Sequence, residues 1–368
     1  MQVRFVRLLF STAVLLSCAL AEAAEVKPQA EDWERALTRA RQDGRVVLGT
    51  DLGIPDFRQA VTAAFSKRFG LSVEFRVLEG AELAAVAARE CAAGRASMDV
   101  LLGGMSELIT LYPKGCLLPV KPRLLLPEVA DPKNWRGGYL KFNDPEGQYL
   151  LQAAEFASFG RLIFNTERIK PQEIRSAADL LKPEYSGKIA GYDPRVSGAG
   201  QATAAYLLTH LGEDYVRKLY LGQRIVYSTN HRQLSEWVAR GTYWIALGVQ
   251  ERGFAPFLKE GFSIKVLNSL EDAPGYLLGG SGVLKLMKDT PHPDGATVLV
   301  NWLASKEGQE IYSRTVQQPS RRADVQVDEI PAYLYPKPGV KYLDTYSYDF
   351  YAKKRPEVTK VLIDLLGR

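Results

Sequence analysis

Short apolar runs alternate with helix-like periodic segments along the first part of the chain. The run at 45–50, "RVVLGT", is rich in β-branched residues and predicts a buried parallel strand. The segment at 54–70 predicts a helix, because Phe57, Val61 and Phe65 recur at four-residue spacing. The alternation continues with predicted strands at 71–79 and 98–104 and a predicted helix at 80–94. This repeated order predicts a parallel sheet covered on both faces, with ligands at the carboxyl ends of its strands.

A second α/β series follows a looser, proline- and glycine-rich stretch at 119–147. Two extended runs within 149–169 lead into it, and an extended run at 273–287 follows it. Paired helices are predicted in 292–315 and a final helix at 355–368. Between these limits the predicted strands are 187–193, 224–229 and 243–248, and the predicted helices are 176–183, 200–212 and 230–241. The pattern therefore predicts an α/β fold built from two such series.

The first residues indicate export from the cytoplasm. A basic start with Arg4 and Arg7 precedes an apolar run and a small-residue exit, as in a secretory signal peptide covering 1–23. The alternative is a lipoprotein anchored at Cys18, which ends the segment "LLSC". About 345 residues would remain after cleavage, enough for about two domains. We expect the mature protein to be periplasmic.

Charge and metal-binding residue types exclude some functions. The formal net charge is +5, and Lys and Arg are interspersed with Asp and Glu, so no basic stripe for nucleic acid exists. The three histidines are scattered and no Cys-x-x-Cys occurs, which argues against zinc. Cys91 lies near the end of the predicted helix at 80–94, and Cys116 follows the next predicted helix, "SELITLYPKG" (106–115), so both should lie at the same edge of the sheet. They are expected either to form a disulfide or to remain two separate buried thiols.

Four stretches together resemble the extracellular solute-binding proteins of ABC importers, a group that includes ferric-iron, polyamine, thiamine and aminoethylphosphonate receptors. These stretches are "AADLLKPEYSGKIAGYDPRVSGAG" (177–200), "VARGTYWIALG" (238–248), the glycine-serine run that begins "GGSGVLKLM" and ends at 314, and "PSRRADV" (319–325). They occur in the order expected for the family, and the resemblance extends from about residue 45 to residue 325.

The resemblance implies a two-lobed periplasmic-binding-protein fold of type II, in which crossing strands form a hinge and a ligand cleft separates the lobes. Lobe I would comprise 24–156 and 279–325, lobe II would comprise 157–278, and a tail would occupy 326–368. The protein would capture a small anionic or zwitterionic solute, a carboxylate or phosphonate, and deliver it to an ABC permease in the inner membrane. It would act as a monomer and would need no cofactor.

The turn at 193–200 is the candidate site of lobe II. A helix start presents free N–H donors and the positive end of the helix dipole, which favour anions. Arg195 can bind a carboxylate or phosphonate with two parallel hydrogen bonds. The other candidates here are Ser197 as a hydroxyl donor, and Gly198 and Gly200, which would allow close approach to the backbone. The alternative is a capped helix whose Arg195 only meets a surface acid.

Further candidates follow predicted strand ends. Such residues also cap helices for purely structural reasons, so each is a weak signal when taken alone. Asp51 would suit an amino group if it faces the cleft. The candidates are Thr50, Asp51, Gly104 and Ser106 in lobe I, Ser228 at a matching strand end in lobe II, and Ser281 on the return crossover.

Ferric members of the family carry a tyrosine pair just after the strand that corresponds to 243–248. Here Glu251 and Arg252 stand in those positions. A cationic Arg252 opposes metal binding by charge repulsion, so we expect no metal site and treat a ferric-binding role as the alternative function. Both residues are included among the candidates for an organic or phosphorus anion.

Catalytic motifs are absent from the sequence. "GGSGV" at 279–283 lacks the spacing of a nucleophile elbow, and there is no His-Glu-x-x-His, no complete dinucleotide fingerprint and no P-loop. The expected role is therefore binding without catalysis. A secreted enzyme on the same scaffold is the remote alternative, since fold does not fix function. A receptor that feeds a signalling protein is a further alternative.

Overall fold

The computed structural model describes residues 30–78, 80–159, 162–196, 199–267 and 269–367, without the Arg252 side chain. The predicted signal peptide and Cys18 lie outside the described residues. Within the described ranges, no helix combines the length and the apolar character that a membrane crossing requires. The chain forms two compact units, of which unit 1 contains the residues up to Ala154 together with Ser281–Val327. Unit 2 contains Glu155–Gly280 and the residues from Asp328 onward.

Strands and helices alternate through most of the chain, which confirms the α/β class. The strands are β1 (Arg45–Thr50), β2 (Ser72–Val77), β3 (Val100–Gly103), β4 (Leu117–Leu118), β5 (Leu151–Gln152), β6 (Phe156–Ser158), β7 (Leu162–Asn165), β8 (Ile189–Tyr192), β9 (Val226–Ser228), β10 (Ile245–Leu247), β11 (Ile264–Leu267), β12 (Tyr276–Leu278), β13 (Val283–Met287) and β14 (Leu343–Asp344). The α-helices are α1 (30–43), α2 (Pro55–Phe69), α3 (Gly80–Ala92), α4 (Ser106–Thr110), α5 (Pro127–Ala130), α6 (Ala199–Leu211), α7 (Glu213–Arg217), α8 (His231–Ala239), α9 (Glu251–Lys259), α10 (Pro293–Ala304), α11 (Lys306–Val316) and α12 (Arg355–Leu366).

The sheet of unit 1 has the strand order β2-β1-β3-β13-β4, and β5 also pairs with β13. Strand β1 is parallel to β2 and β3, as the sequence pattern predicts. Strand β13 comes from the second segment of the unit and runs antiparallel to β3. The register places Thr50 opposite both Val77 and Leu102, so the carboxyl ends of the three parallel strands lie level at one edge.

Helix α2 shows how the apolar spacing becomes packing. Its predicted stripe of Phe57, Val61 and Phe65 is fully buried. The ring of Phe65 meets that of Trp302 in α10 at a centroid distance of 5.3 Å. Each such side chain contributes about 1.5–3 kcal/mol through burial. Gly70 ends the helix with a φ of 72°, a left-handed conformation that glycine adopts without steric cost.

The "PSRRADV" stretch contributes an arginine side chain that binds backbone carbonyls in unit 1. The fully buried guanidinium of Arg322 donates two parallel hydrogen bonds to Asp324, both of 2.8 Å, and further bonds to the backbone carbonyls of Glu128 and Ala304. It also faces the ring of Trp135. Because this pattern uses the planar fork of arginine, lysine could not replace it. The motif that carries the family resemblance therefore has a structural task here.

Unit 2 contains a sheet of order β11-β7-β10-β8-β9 and a three-stranded sheet of order β14-β12-β6. In the larger sheet, β8 is parallel to β9 and β10, while β7 is antiparallel to β10 and β11. The tail supplies β14, which pairs in parallel with β12, and helix α12, whose buried Val358 and Leu362 join the main core of the unit. The tail is thus an integral part of unit 2.

Local structure departs from the pattern in several places, and two of them have a clear physical reason. The helix predicted at 176–183 is a 3₁₀ helix at Ala177–Leu181. Its start is stabilised by a capping box between Ser176 and Asp179. The proline at 183 cannot continue a helix, which explains why the turn remains short. Helix α9 was not predicted, because Pro256 lies inside it and weakens the sequence signal.

Cys91 and Cys116 form a disulfide with a Cα–Cα distance of 5.8 Å. Cys91 belongs to α3, and Cys116 lies just before β4. The disulfide alternative of the sequence analysis is therefore confirmed over that of two separate thiols.

Removing this disulfide should lower the free energy of unfolding by about 3 kcal/mol, because the cross-link no longer restricts a 25-residue loop in the unfolded chain. Urea unfolding of the Cys91→Ala/Cys116→Ala variant measures the loss. As a control, a reductant should destabilise the wild type by the same amount and leave the variant unchanged. Equal midpoints for oxidised wild type and variant would contradict the expected stabilisation.

Candidate functional site

Asp51 of unit 1 lies immediately after β1, at the edge where the parallel strands end. The residue is half-buried, and its carboxylate is hydrogen-bonded to Ser281. Its other oxygen, Oδ1, is shielded from water and has no hydrogen-bond partner among the described residues. A shielded carboxylate oxygen without a donor is costly in free energy.

Two glycines form the walls around the Asp51 carboxylate. A Cβ atom at Gly80, the first residue of α3, would lie 3.3 Å from Oδ2. A Cβ at Gly103, the last residue of β3, would lie 3.6 Å from Oδ1. Larger residues at these two positions would crowd the recess. We call the group formed by Asp51, Gly80, Gly103, Gly104 and Ser281 the Asp51 recess.

A buried ion pair between Lys285 and Glu107 lies next to these residues. The Lys285 side chain, on β13, is fully buried, and its Nζ donates to Glu107 Oε2 at 3.1 Å and to the Gly104 carbonyl at 2.9 Å. Glu107 belongs to α4 and is 2% exposed. The pair fixes the backbone of Gly104 where it leaves β3.

Burial raises the pKa of the Asp51 carboxyl above its ordinary value. The hydrogen bond from Ser281 and the Lys285 ammonium lower this pKa, and the nearby Glu107 carboxylate raises it. The net effect is upward because burial outweighs the partners. The recess therefore holds a carboxylate whose charge is incompletely compensated.

The remaining lobe I candidates have mainly local contacts. Thr50 is fully buried, and its hydroxyl accepts a hydrogen bond from the Leu52 N–H at 3.1 Å, which shapes the turn after β1. Ser106 starts α4, and its carbonyl accepts the Thr110 hydroxyl. The structure therefore brings Asp51 and Ser281 together, binds the Gly104 carbonyl to Lys285 and gives Thr50 a structural role in the turn after β1.

In unit 2, Arg195 is paired with a neighbouring acid. Its Nε and Nη2 donate to the two carboxylate oxygens of Asp193 at 2.9 and 2.7 Å, and its guanidinium lies 5.5 Å from the ring centroid of Tyr227. The hydrogen bond from Arg195 lowers the pKa of Asp193. Because guanidinium has five donors, this pairing leaves others for a further acceptor. Ser197 and Gly198 lie outside the described residues.

Gly200 and Ser228 have structural contacts. A Cβ at Gly200 would lie 2.1 Å from the Tyr192 carbonyl, and a Cβ at Gly248 would lie 2.9 Å from the Gly200 Cα. Close packing between helix α6 and strands β8 and β10 thus accounts for Gly200 without a ligand. The Ser228 hydroxyl donates to Gln233 at 2.6 Å and accepts the N–H of Asn230 at 3.0 Å.

Glu251 begins α9 and is hydrogen-bonded to a tyrosine of the tail. The Tyr333 hydroxyl lies 2.9 and 3.1 Å from its two carboxylate oxygens. Sequence analysis missed Tyr333, because 82 residues separate the partners and no local pattern links them. The Arg252 side chain is not described.

Two pockets in the described part of the chain are lined by none of the predicted site residues. One, of about 520 Å³, lies in unit 1 beside Tyr112, Glu146 and Tyr149. The other, of about 510 Å³, lies in unit 2 beside Arg175, Glu271 and Tyr342. The aromatic residues Phe159 and Tyr276, which a ligand could otherwise contact, are buried in the core of unit 2. Over the described residues, no group of three or more His, Cys, Asp or Glu side chains is arranged to hold a metal ion.

A family profile described as bacterial extracellular solute-binding protein matches residues 60–333, about three quarters of the chain. The chain belongs to this solute-binding family. A curated relative, an uncharacterised protein of Haemophilus influenzae, is 26% identical over 208 residues, which cover 54% of this chain and 57% of that relative. The chain thus spans little more than half the length of this relative.

Solved structures show that this solute-binding protein has the fold of two-lobed periplasmic binding proteins. The Trichodesmium protein IdiA (FutA), in complex with iron and citrate, is 19% identical with a TM-score of 0.65, over 88% of this chain and 99% of that one. The Bordetella ferric binding protein is 20% identical with a TM-score of 0.63, over 87% and 98%. AfuA of Actinobacillus pleuropneumoniae, with fructose-6-phosphate bound, is 19% identical with a TM-score of 0.60, over 88% and 98%.

Breaking the Lys285–Glu107 pair in this solute-binding protein should be strongly destabilising. Lys285→Met leaves the Glu107 carboxylate buried without its cation and should cost about 3–5 kcal/mol in the free energy of unfolding. The double variant Lys285→Met/Glu107→Met buries no charge, so it should recover most of that loss. Urea unfolding of both variants measures the difference.

The matched control is the exposed pair of Arg217 and Glu213, whose side chains are each 55% exposed. Arg217→Met should change stability little, because water screens an exposed pair. A double Lys285/Glu107 variant no more stable than the single Lys285 variant would argue against charge burial as the cause.

Proposed function

We propose that this protein is the periplasmic solute-binding component of an ABC importer, and that it captures a small anionic or zwitterionic solute for delivery to a membrane permease. Membership of the solute-binding family is the observation that carries this proposal. The proposal includes closure of two lobes over the solute, which the sequence resemblance implies. It assigns binding without turnover to the protein.

The chemistry of the candidate residues supports the ligand class. Arg195 keeps spare guanidinium donors in unit 2 while Asp193 orients it, which suits a carboxylate or phosphonate. Glu251 and Arg252 begin α9, where tyrosines stand in ferric members. Two similar structures contain ligands with anionic oxygens, citrate together with iron in one and fructose-6-phosphate in the other.

A thermal-shift screen of carboxylates, phosphonates, polyamines and ferric salts tests the proposal. A ligand that binds only the folded protein should raise stability by about 2.7 kcal/mol at a hundredfold excess over its Kd. Product analysis of each stabilising compound separates binding from turnover. Deletion of the gene followed by uptake measurements separates transport from signalling. Stabilisation by neutral sugars alone would contradict the proposed ligand class.

Arg195→Ala should weaken binding of the anion found in the screen by about 2 kcal/mol, because one partner of a charge pair with the ligand is removed. Folding should change little, since the Arg195 side chain is 36% exposed and supports no core. Isothermal titration calorimetry gives the affinity, and Arg217→Ala is the matched surface control. Full affinity in Arg195→Ala would favour the capped-helix interpretation of this turn.

The proposal also predicts that ferric ion forms no specific complex. Ferric-phenolate sites absorb visible light, so protein mixed with ferric citrate and then desalted should remain colourless. Glu251 and Arg252 replace the tyrosine pair, and the positive charge of Arg252 repels a cation. A stoichiometric coloured complex that resists a chelator would establish the ferric-binding alternative instead.

A further inference from the structure

We propose that Tyr346 of the tail is a positioning residue for lobe closure, because it holds the glycine at which the chain passes from unit 2 back to unit 1. This inference rests on the proposed function, since closure of the two lobes over the solute is part of it. The tail then influences solute affinity without touching the solute.

A short segment without strand structure connects β12 of unit 2 to β13 of unit 1. The unit boundary lies inside it, between Gly280 and Ser281. Gly280 has a φ of 54°, a left-handed conformation that glycine adopts without steric cost. Because this residue has no side chain and lies between two strands, backbone rotation of the kind that a hinge requires is easiest here.

The chain on either side of this segment is held by backbone contacts within its own unit. In unit 2, β12 is antiparallel to β6, and Leu278 lies opposite Phe156. In unit 1, the Gly282 carbonyl accepts the N–H of Ala153 at 2.8 Å. Backbone rotation is therefore confined to the residues between these contacts, 279–281.

Tyr346 binds this segment directly. Its hydroxyl donates a hydrogen bond of 3.0 Å to the Gly280 carbonyl. Local contacts fix the tyrosine itself, since its backbone N–H donates to Asp344 Oδ1 at 3.0 Å and its ring meets that of Tyr351 edge-on, with the centroids 6.3 Å apart. The preceding strand, β14, is paired with β12. The hydrogen bond therefore attaches the hinge glycine to a part of unit 2 that is held in place.

Loss of this hydrogen bond should lower solute affinity and leave solute preference unchanged. Without the Tyr346 hydroxyl, Gly280 samples more backbone conformations in the unliganded protein, and closure has to order them again. That cost in free energy is the same for every solute, because it arises from the chain and not from a contact with the solute. A tyrosine that only stabilised the tail would leave the affinity unchanged.

The variant Tyr346→Phe tests this inference, because it removes the hydroxyl and keeps the ring. Spin labels at Lys67→Cys in unit 1 and Arg217→Cys in unit 2, both at exposed positions, give the distribution of distances between the units by double electron–electron resonance. In unliganded Tyr346→Phe this distribution should be broader than in the wild type. Isothermal titration calorimetry with citrate, fructose-6-phosphate and 2-aminoethylphosphonate should show a roughly threefold to tenfold loss of affinity for each probe that binds.

The matched control is Thr345→Val. The Thr345 hydroxyl donates at 2.7 Å to the carbonyl of Leu277, on the same strand β12 but before the hinge segment. This variant also removes one side-chain hydrogen bond between the tail and β12, yet it leaves Gly280 bound to Tyr346. Its distance distribution and its affinities should therefore equal those of the wild type.

The outcomes separate this inference from the proposed function. A broader distribution in Tyr346→Phe alone supports the inference. Wild-type behaviour of Tyr346→Phe, or equal broadening in Tyr346→Phe and Thr345→Val, overturns the assignment of Tyr346. An altered preference among the probes would indicate that Tyr346 contacts the solute, and it would also overturn the inference. Absence of binding by every probe counts against the proposed function, whereas the distance distributions of the unliganded proteins still decide the inference.

Discussion

The buried ion pair of Lys285 and Glu107 is the constraint on which the candidate site of unit 1 depends. Lys285 lies on β13, the strand that pairs with β3, β4 and β5 and so joins the two chain segments of the unit. Its ammonium must be compensated because it is removed from water, and Glu107 and the Gly104 carbonyl provide that compensation. The loop between β3 and α4 is therefore fixed by electrostatics as well as by the sheet. Because this loop is fixed, its groups cannot readily move to donate a hydrogen bond to the Asp51 carboxylate.

Much of the fold could be predicted from periodicity. The apolar stripe of α2, the β-branched run of β1 and the N-cap at Ser305 each carry a local signal, and Ser305 does accept the N–H of Gly308. The 3₁₀ helix at Ala177–Leu181 could not be separated from an α-helix, because both share the same start signals over so few residues. The pairing of β14 with β12 joins residues far apart in the chain, and local pattern contains no information on such pairing.

The candidate site was predictable only in part, for reasons that individual residues make clear. Asp51, Gly104 and Ser281 share one edge because strand order and register follow from the β-α-β pattern and the return crossover. Lys285 had a signal that was overlooked, since a lysine within the apolar run "VLKLM" must find a buried partner. The sequence predicted Gly200 as a ligand contact, yet any side chain at this position would clash with the carbonyl of Tyr192. Helix-start glycines serve both purposes, and only three-dimensional contacts distinguish them.

The division of the chain between the two units has a consequence for the order of assembly. Unit 1 has all its segments once Val327 has been synthesised and exported, whereas unit 2 still lacks β14 and α12 at that moment. Until they arrive, β12 has an unpaired edge and the face of α6 that packs against α12 is uncovered. Unit 1 can thus complete its folding first, while unit 2 presents an open strand edge to chaperones and to neighbouring chains. Arrival of β14 and α12 ends the period in which these surfaces of unit 2 are exposed.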